Sequence, residues 1–135
     1  MTYLVDANVL SEPTKPAPAP KAIAWLRAHE GDFVVDSIVM GEIYLGILAL
    51  PAGRKRTRLD QWFEEVAQTI ECLPWDVAVS RRWARLVVGL RRKGRTMPLL
   101  DAMIAATALE HGLTVATRNV HDFRNAGVSV VDPFA

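Results

Sequence analysis

The sequence predicts an α/β fold: a three-layer α/β/α sandwich around a mostly parallel central sheet of four to five strands. Three observations carry that prediction. Short apolar runs recur along the chain, longer segments with helical periodicity separate them, and glycine or proline stands at many of the joins. Strands that alternate with helices need crossover connections, and these give parallel pairing with both faces of the sheet covered.

Tyr3-Leu4-Val5 is the first predicted strand, and Asp6-Ala7-Asn8 reads as the helix start behind it. The run Pro13 to Pro20 cannot continue a helix, because proline lacks the N–H donor and fixes φ. It is expected to be a stiff surface connection rather than a linker between domains. Lys21 to His29 carries Ile23, Trp25 and Leu26 at helical spacing and stops near Gly31. Phe33-Val34-Val35 is the second strand, and the apolar helix Ile38 to Leu50 follows, ended by Pro51 and Gly53. Arg54 to Gln68 is amphipathic, with Leu59, Trp62, Phe63 and Val66 on one face. Thr69 to Leu73 is a third strand. Val77 to Lys93 is a helix with Gly94 placed to end it, and Leu100 to His111 is an Ala-rich helix closed by Gly112. Leu113 to Ala116, a short helical turn after Thr117-Arg118-Asn119, and Val128 to Val131 complete the order.

A chain of 135 residues fits one domain, residues 1–135, with enough length to bury a core. Half its residues are apolar and 23% are charged, and the net charge is only +1, so bulk charge points to neither a membrane nor a nucleic acid. Cys72 has no partner for an internal disulfide and reads as an apolar strand residue in a reducing compartment. The first residues lack the pattern of a secretion signal, and no apolar run approaches the roughly 20 residues of a membrane span. A cytoplasmic location is expected.

Parallel sheets bind ligands at the carboxyl ends of their strands. Asp6 and Asn8 follow the first strand, Asp36 and Ser37 the second, and Thr117, Asn119 and Asp122 the fourth. Two helices add acids. Glu42 is the only charge in Ile38 to Leu48, aligned with Ile38, Leu45 and Ala49 and with no Lys or Arg on that helix to pair with it. Asp101 is the lone charge in Leu99 to Ala106. Each acid has an ordinary explanation: Asp6 a helix cap, Asp101 a macrodipole partner, Asp122 a turn residue, Glu42 one half of a distant ion pair. Taken together those explanations fail, because carboxylates gathered at one edge without counter-charge repel one another. A hard divalent cation satisfies all of them, and an all-oxygen set suits Mg²⁺ or Mn²⁺, one ion or two. Asp36 fits best as a cap for the helix after it, and Asp132 as a turn former. His29, His111 and His121 lack zinc-site spacing, and Ser11, Ser37 and Ser80 lack a triad context. No glycine-rich phosphate loop follows the first strand.

The segments Leu4 to Glu12, the lone Glu42, Leu100 to Ala108 and Val115 to Phe123 resemble the PIN-domain nucleases. They resemble more narrowly the VapC toxins of toxin–antitoxin pairs, in their FitB-like branch, and the likeness runs through Val130-Val131-Asp132-Pro133-Phe134. The resemblance implies a PIN-like fold and a metal-dependent ribonuclease acting on single-stranded or loop RNA. It assigns Asp6, Glu42, Asp101 and Asp122 to the metal, and Asn8, Thr117 and Asn119 to supporting hydrogen bonds. It also implies a homodimer and a cognate antitoxin, with DNA bound only through that antitoxin. Asp36 departs from the pattern, where relatives often carry a small residue. A housekeeping RNA-processing nuclease and a non-catalytic metal or nucleic-acid binding module are the alternatives.

Between Val77 and Leu100 the basic residues, among them Arg91, Arg92 and Arg95, occur with no acid, just ahead of Asp101. They are the expected contacts to the RNA phosphates. Arg54 to Arg58 reads as a solvated basic face. Trp62 and Phe63 read either as core or as part of a dimer or antitoxin surface.

Overall fold

The computed structural model describes residues 2–135. Its elements run β1 (Tyr3–Val5), α1 (Ala7–Leu10), a 3₁₀ turn (Glu12–Thr14), α2 (Pro20–Ala28), β2 (Phe33–Asp36), α3 (Ser37–Leu48) and α4 (Arg54–Thr69). They continue with β3 (Cys72–Leu73), α5 (Val77–Arg92), α6 (Leu99–His111), β4 (Thr114–Ala116), α7 (Val120–Arg124) and β5 (Val130–Val131). The five strands form one sheet in the order β3-β2-β1-β4-β5, and every pairing is parallel.

That order fixes where a ligand belongs. From β1 the chain steps outward through β2 to β3, then returns to the other side of β1 for β4 and β5. Right-handed crossovers in opposite directions send their helices to opposite faces, which yields the three expected layers. The reversal lies between β1 and β4, and a crevice opens at the carboxyl ends of strands at such a point. Asp6 and Thr117 are the residues that leave β1 and β4 there.

The sheet interior is dry. Leu4, Val5, Val34, Val35, Val115 and Ala116 are buried, and Val39, Ile104, Ala105, Ala108 and Phe123 close over them. Alanines on α6 keep that helix close to the strands, where larger side chains would not fit.

Predicted boundaries shift where local chemistry wins. α4 runs on to Thr69 and shortens β3 to two residues. The turn at Gly127, φ +74°, delays β5 to Val130. Cys72 lies in a strand as expected, but its side chain is exposed at the sheet edge rather than buried. Gly94 and Gly112 both adopt the left-handed conformation that ends α5 and α6. Trp62 and Phe63 pack against the core, so the apolar side chains open to solvent are instead Leu45 and Leu48 of α3, Val77 and Val88 of α5, and Leu99 and Leu100 of α6.

The proline-rich connection is held by one side chain. Glu12, buried although charged, accepts from the Ala19 N–H at 2.8 Å and pairs with Lys15 Nζ at 3.0 Å. These partners, the Ala19 N–H first, hold its carboxyl below the ordinary value. The segment Pro13 to Pro20 is therefore stiff for two reasons, its prolines and this clasp.

Candidate active site

Asp6 is both a cap and a site residue. Its Oδ1 accepts from the Ala7 N–H at 2.8 Å, which starts α1, while Oδ2 accepts from the Thr117 hydroxyl at 2.7 Å. Asn8 braces the pair: its amide donates to Asp6 Oδ2 at 3.4 Å and to Thr117 Oγ1 at 3.3 Å. The side-chain oxygen of Asn8 accepts from the Arg118 N–H at 3.1 Å. Asn119 joins through its backbone N–H, which donates to Thr117 Oγ1 at 3.0 Å. Asn8 and Thr117 thus both hydrogen-bond Asp6 directly, while Asn119 joins this network through its backbone and not its side chain.

Burial pushes the Asp6 carboxyl up, against the opposing pull of the Thr117 and Ala7 donors. Asp36, at the end of β2, caps α3 by accepting from the Val39 N–H at 2.8 Å. Asp36 Oδ2 is buried and has no hydrogen bond of good geometry, although Thr107, whose hydroxyl donates to Met103 O at 3.3 Å, lies near enough to oppose the rise in its pKa. Burial raises Asp36 as well, and the charge of Asp6 adds to the rise.

Glu42 and Asp101 complete the acidic group. Burial raises Glu42, and the charges of Asp6, Asp101 and Asp36 raise it further. Its helical neighbours Leu45 and Ala49 are exposed, so Glu42 is half-buried by the groove beside α3 rather than by its own helix face, contrary to the sequence reading. That groove, about 310 Å³, lies among α1, α3 and α4 and is lined by Asn8, Glu42, Ile43, Ile47, Leu59 and Trp62 among others. Asp101 stands in the first turn of α6, whose N-cap Pro98 offers no side-chain bond. Burial, then the charges of Asp6 and Asp122, push Asp101 up to about 6. Asp6, Asp36, Glu42 and Asp101 are therefore linked electrostatically, and Asp122 joins them through its effect on Asp101.

None of these five acids forms a salt bridge among the described residues; the ion pairs found there are Lys15–Glu12 and Arg82–Glu110. The set is wholly oxygen, its ionisation is opposed from within, and it contains an orphaned buried oxygen on Asp36. Those properties fit a hard divalent cation. Among the described residues no three acidic, His or Cys side chains are placed so that they could hold a metal ion together.

The arginines divide. Arg91 and Arg95 line a small groove of about 110 Å³ that reaches Ala102, next to Asp101. Arg92 opens onto a different part of α5, beside Arg85 and Val88. A cleft of about 480 Å³ lies near Glu30, Gly31 and Ile70 before the strand starts, at the opposite edge from the carboxylates. His121 is exposed, as a turn residue would be.

The PIN domain family model matches residues 3–128, nearly the whole chain and every acid of the site. The chain belongs to the PIN-domain family. It is 34% identical over 135 residues to the VapC ribonuclease Y4jK of Sinorhizobium fredii, covering 97% of this chain and 96% of that protein. It is also 34% identical to the toxin FitB of Neisseria gonorrhoeae, covering 97% of each. Among solved structures, FitAB bound to an IR36 DNA fragment matches with a TM-score of 0.93 at 33% identity, over 99% of this PIN chain and 96% of that one.

Proposed function

We propose that this PIN-domain chain is a divalent-metal-dependent endoribonuclease that cleaves single-stranded or loop RNA as the toxin of a toxin–antitoxin pair in the cytoplasm. One observation carries the reading. Acids from separate segments share one electrostatic environment at the sheet's switch point, and among the described residues no cation pairs with any of them. The names of the relatives, a VapC ribonuclease and the toxin FitB, support the choice of substrate and of biological setting.

In this reading Asp6, Glu42 and Asp101 hold Mg²⁺ or Mn²⁺, and Asp122 binds through water or orients the attacking water. When bound, such a cation neutralises charge growing on the phosphate and acidifies a neighbouring water. The protein's own work is orientation. The Ala7 N–H and the Thr117 hydroxyl hold one oxygen each of Asp6, which fixes the carboxylate plane. Burial and the charges of Asp6 and Asp122 push Asp101 up to about 6, so part of its population carries a proton near neutral pH until a cation binds. Arg91, Arg92 and Arg95 contact RNA phosphates flanking the scissile bond. The open apolar side chains of α3 and α6 supply surface for a second copy of the chain and for an antitoxin.

The test is cleavage of end-labelled single-stranded and hairpin RNAs by purified, partner-free protein. Cleavage is expected with Mg²⁺ or Mn²⁺ and none with chelator. No metal-dependent cleavage of any RNA would make the chain a binding module instead.

A further inference from the structure

Arg118 is tied into the acidic site by its backbone but is not used by it. It is the first residue after Thr117, at the carboxyl edge of β4, and its N–H donates to Asn8 Oδ1 at 3.1 Å. Its side chain turns to the segment behind β5, where the guanidinium lies 3.6 Å over the Phe134 ring. That segment is itself fixed: the Phe134 N–H donates to Asp132 Oδ1 at 2.9 Å, and Pro133 is buried.

A stacked guanidinium places its flat face on the ring and keeps its edge of N–H donors free. Among the described residues no carboxylate or carbonyl takes that edge. Glu12 senses the charge of Arg118, yet its partners are the Ala19 N–H and Lys15 Nζ. Arg118 is exposed, and its charge is not among those acting on Asp6, Glu42 or Asp101. It is therefore an exposed cation at the same carboxyl edge of the sheet, joined to the acidic site through its backbone N–H and not spent on neutralising Asp6, Glu42 or Asp101. The donors of a guanidinium edge match two oxygens of a phosphate, and stacking reduces the ordering needed to present them.

We infer that Arg118, held by Phe134, binds the non-bridging oxygens of an RNA phosphate at the acidic site. This rests on the ribonuclease reading of the site for its substrate, and it adds a contact distinct from the arginines of α5. Phe134 is a positioning residue, because it acts only through Arg118.

The probe is a 5′-fluorescein-labelled 20-nucleotide single-stranded RNA of mixed sequence. Binding to the full chain is followed by anisotropy in chelator, from 50 to 400 mM KCl, so that no cleavage intervenes. Removing one phosphate contact from single-stranded nucleic acid lowers the slope of log affinity against log salt by about 0.7. Arg118→Ala is expected to lower it by that amount, and Arg118→Lys to restore it. Arg27→Ala, which removes an exposed charge from α2, is expected to leave it unchanged. Phe134→Leu retains apolar bulk without the aromatic face. It is expected to keep the slope but to lower kcat/KM for Mn²⁺-dependent cleavage about tenfold, and Phe134→Tyr to recover it. An unaltered slope in Arg118→Ala, or an equal loss in Arg27→Ala, overturns the inference even if wild-type cleavage stands. A wild type that binds with the Arg118-dependent slope but never cleaves overturns the ribonuclease reading and leaves the phosphate contact intact. Full kcat/KM in Phe134→Leu overturns the positioning role.

Discussion

The Thr117 hydroxyl donates to Asp6 Oδ2 at 2.7 Å across 111 residues of sequence, and so bolts β4 to β1 at the point where the strand order reverses. Because both groups are buried, the bond is at once part of the fold and the anchor of an acid. Replacing Thr117 with Val keeps the shape but leaves Asp6 Oδ2 without its best donor, and Asn119 N–H without its acceptor. A loss of about 1.5–3 kcal/mol is expected in urea unfolding, since the acceptor is a charged group when ionised. Thr117→Ser retains the hydroxyl and should lose less than half as much. Equal losses in both variants would show that the methyl group, not the hydrogen bond, carries the effect.

Asp6 itself should be dispensable for folding. Its charge is disfavoured by burial, so Asp6→Asn removes that opposition while keeping an oxygen for the Ala7 N–H, and the Thr117 hydroxyl can rotate to accept from the new amide in place of donating to Oδ2. Measured in chelator, the variant is expected to melt at the wild-type temperature or above it. Its metal-dependent cleavage should fall by at least about a hundredfold, as expected on losing a group that anchors charge stabilisation worth several kcal/mol. Loss of folding would make Asp6 a structural cap first.

Much of this was legible before any coordinates. Element order, parallel pairing and the acidic edge follow from apolar runs and from which residue ends each run. Less legible was anything set by neighbours remote in sequence. Glu42 is shielded by the groove between α1, α3 and α4 rather than by Leu45 and Ala49, because α3 turns that line of residues outward. Asp36 was readable as a cap, but the burial of its second oxygen is set by neighbours remote in sequence. The placement of Arg118 on Phe134 is likewise invisible in the text, since the pairing needs β4 beside β5.

The raised carboxyls give a signed pH dependence. A carboxyl whose pKa is higher folded than unfolded binds more protons in the native state between the two values, so stability falls as pH rises through that window. For Asp101 the window runs from the ordinary 3.8 to about 6. Asp6, Asp36 and Glu42 shift in the same direction. Metal-free protein should therefore lose melting temperature from pH 4 to pH 6 and level off above that. Asp101→Asn should flatten the upper part of the slope. A melting temperature that rises over this range would mean the acids are neutralised by the protein itself.

Cation binding should reverse that loss. A ligand that binds the native state alone stabilises it in proportion to the logarithm of its concentration, by about 2.7 kcal/mol at one hundred times its Kd. For a chain of this length that is an increase in melting temperature of about 10 °C. Titrating Mn²⁺ at pH 7 should produce a continuous rise of this size, while Glu42→Gln and Asp101→Asn, which each withdraw one oxygen donor charge, should need far more Mn²⁺ for the same gain. Glu30→Gln is the matching control, because Glu30 lines the cleft at the opposite edge of the sheet. A flat response in the wild type, or a rise that Glu42→Gln leaves intact, would separate the acids from any cation and leave their mutual repulsion unbalanced.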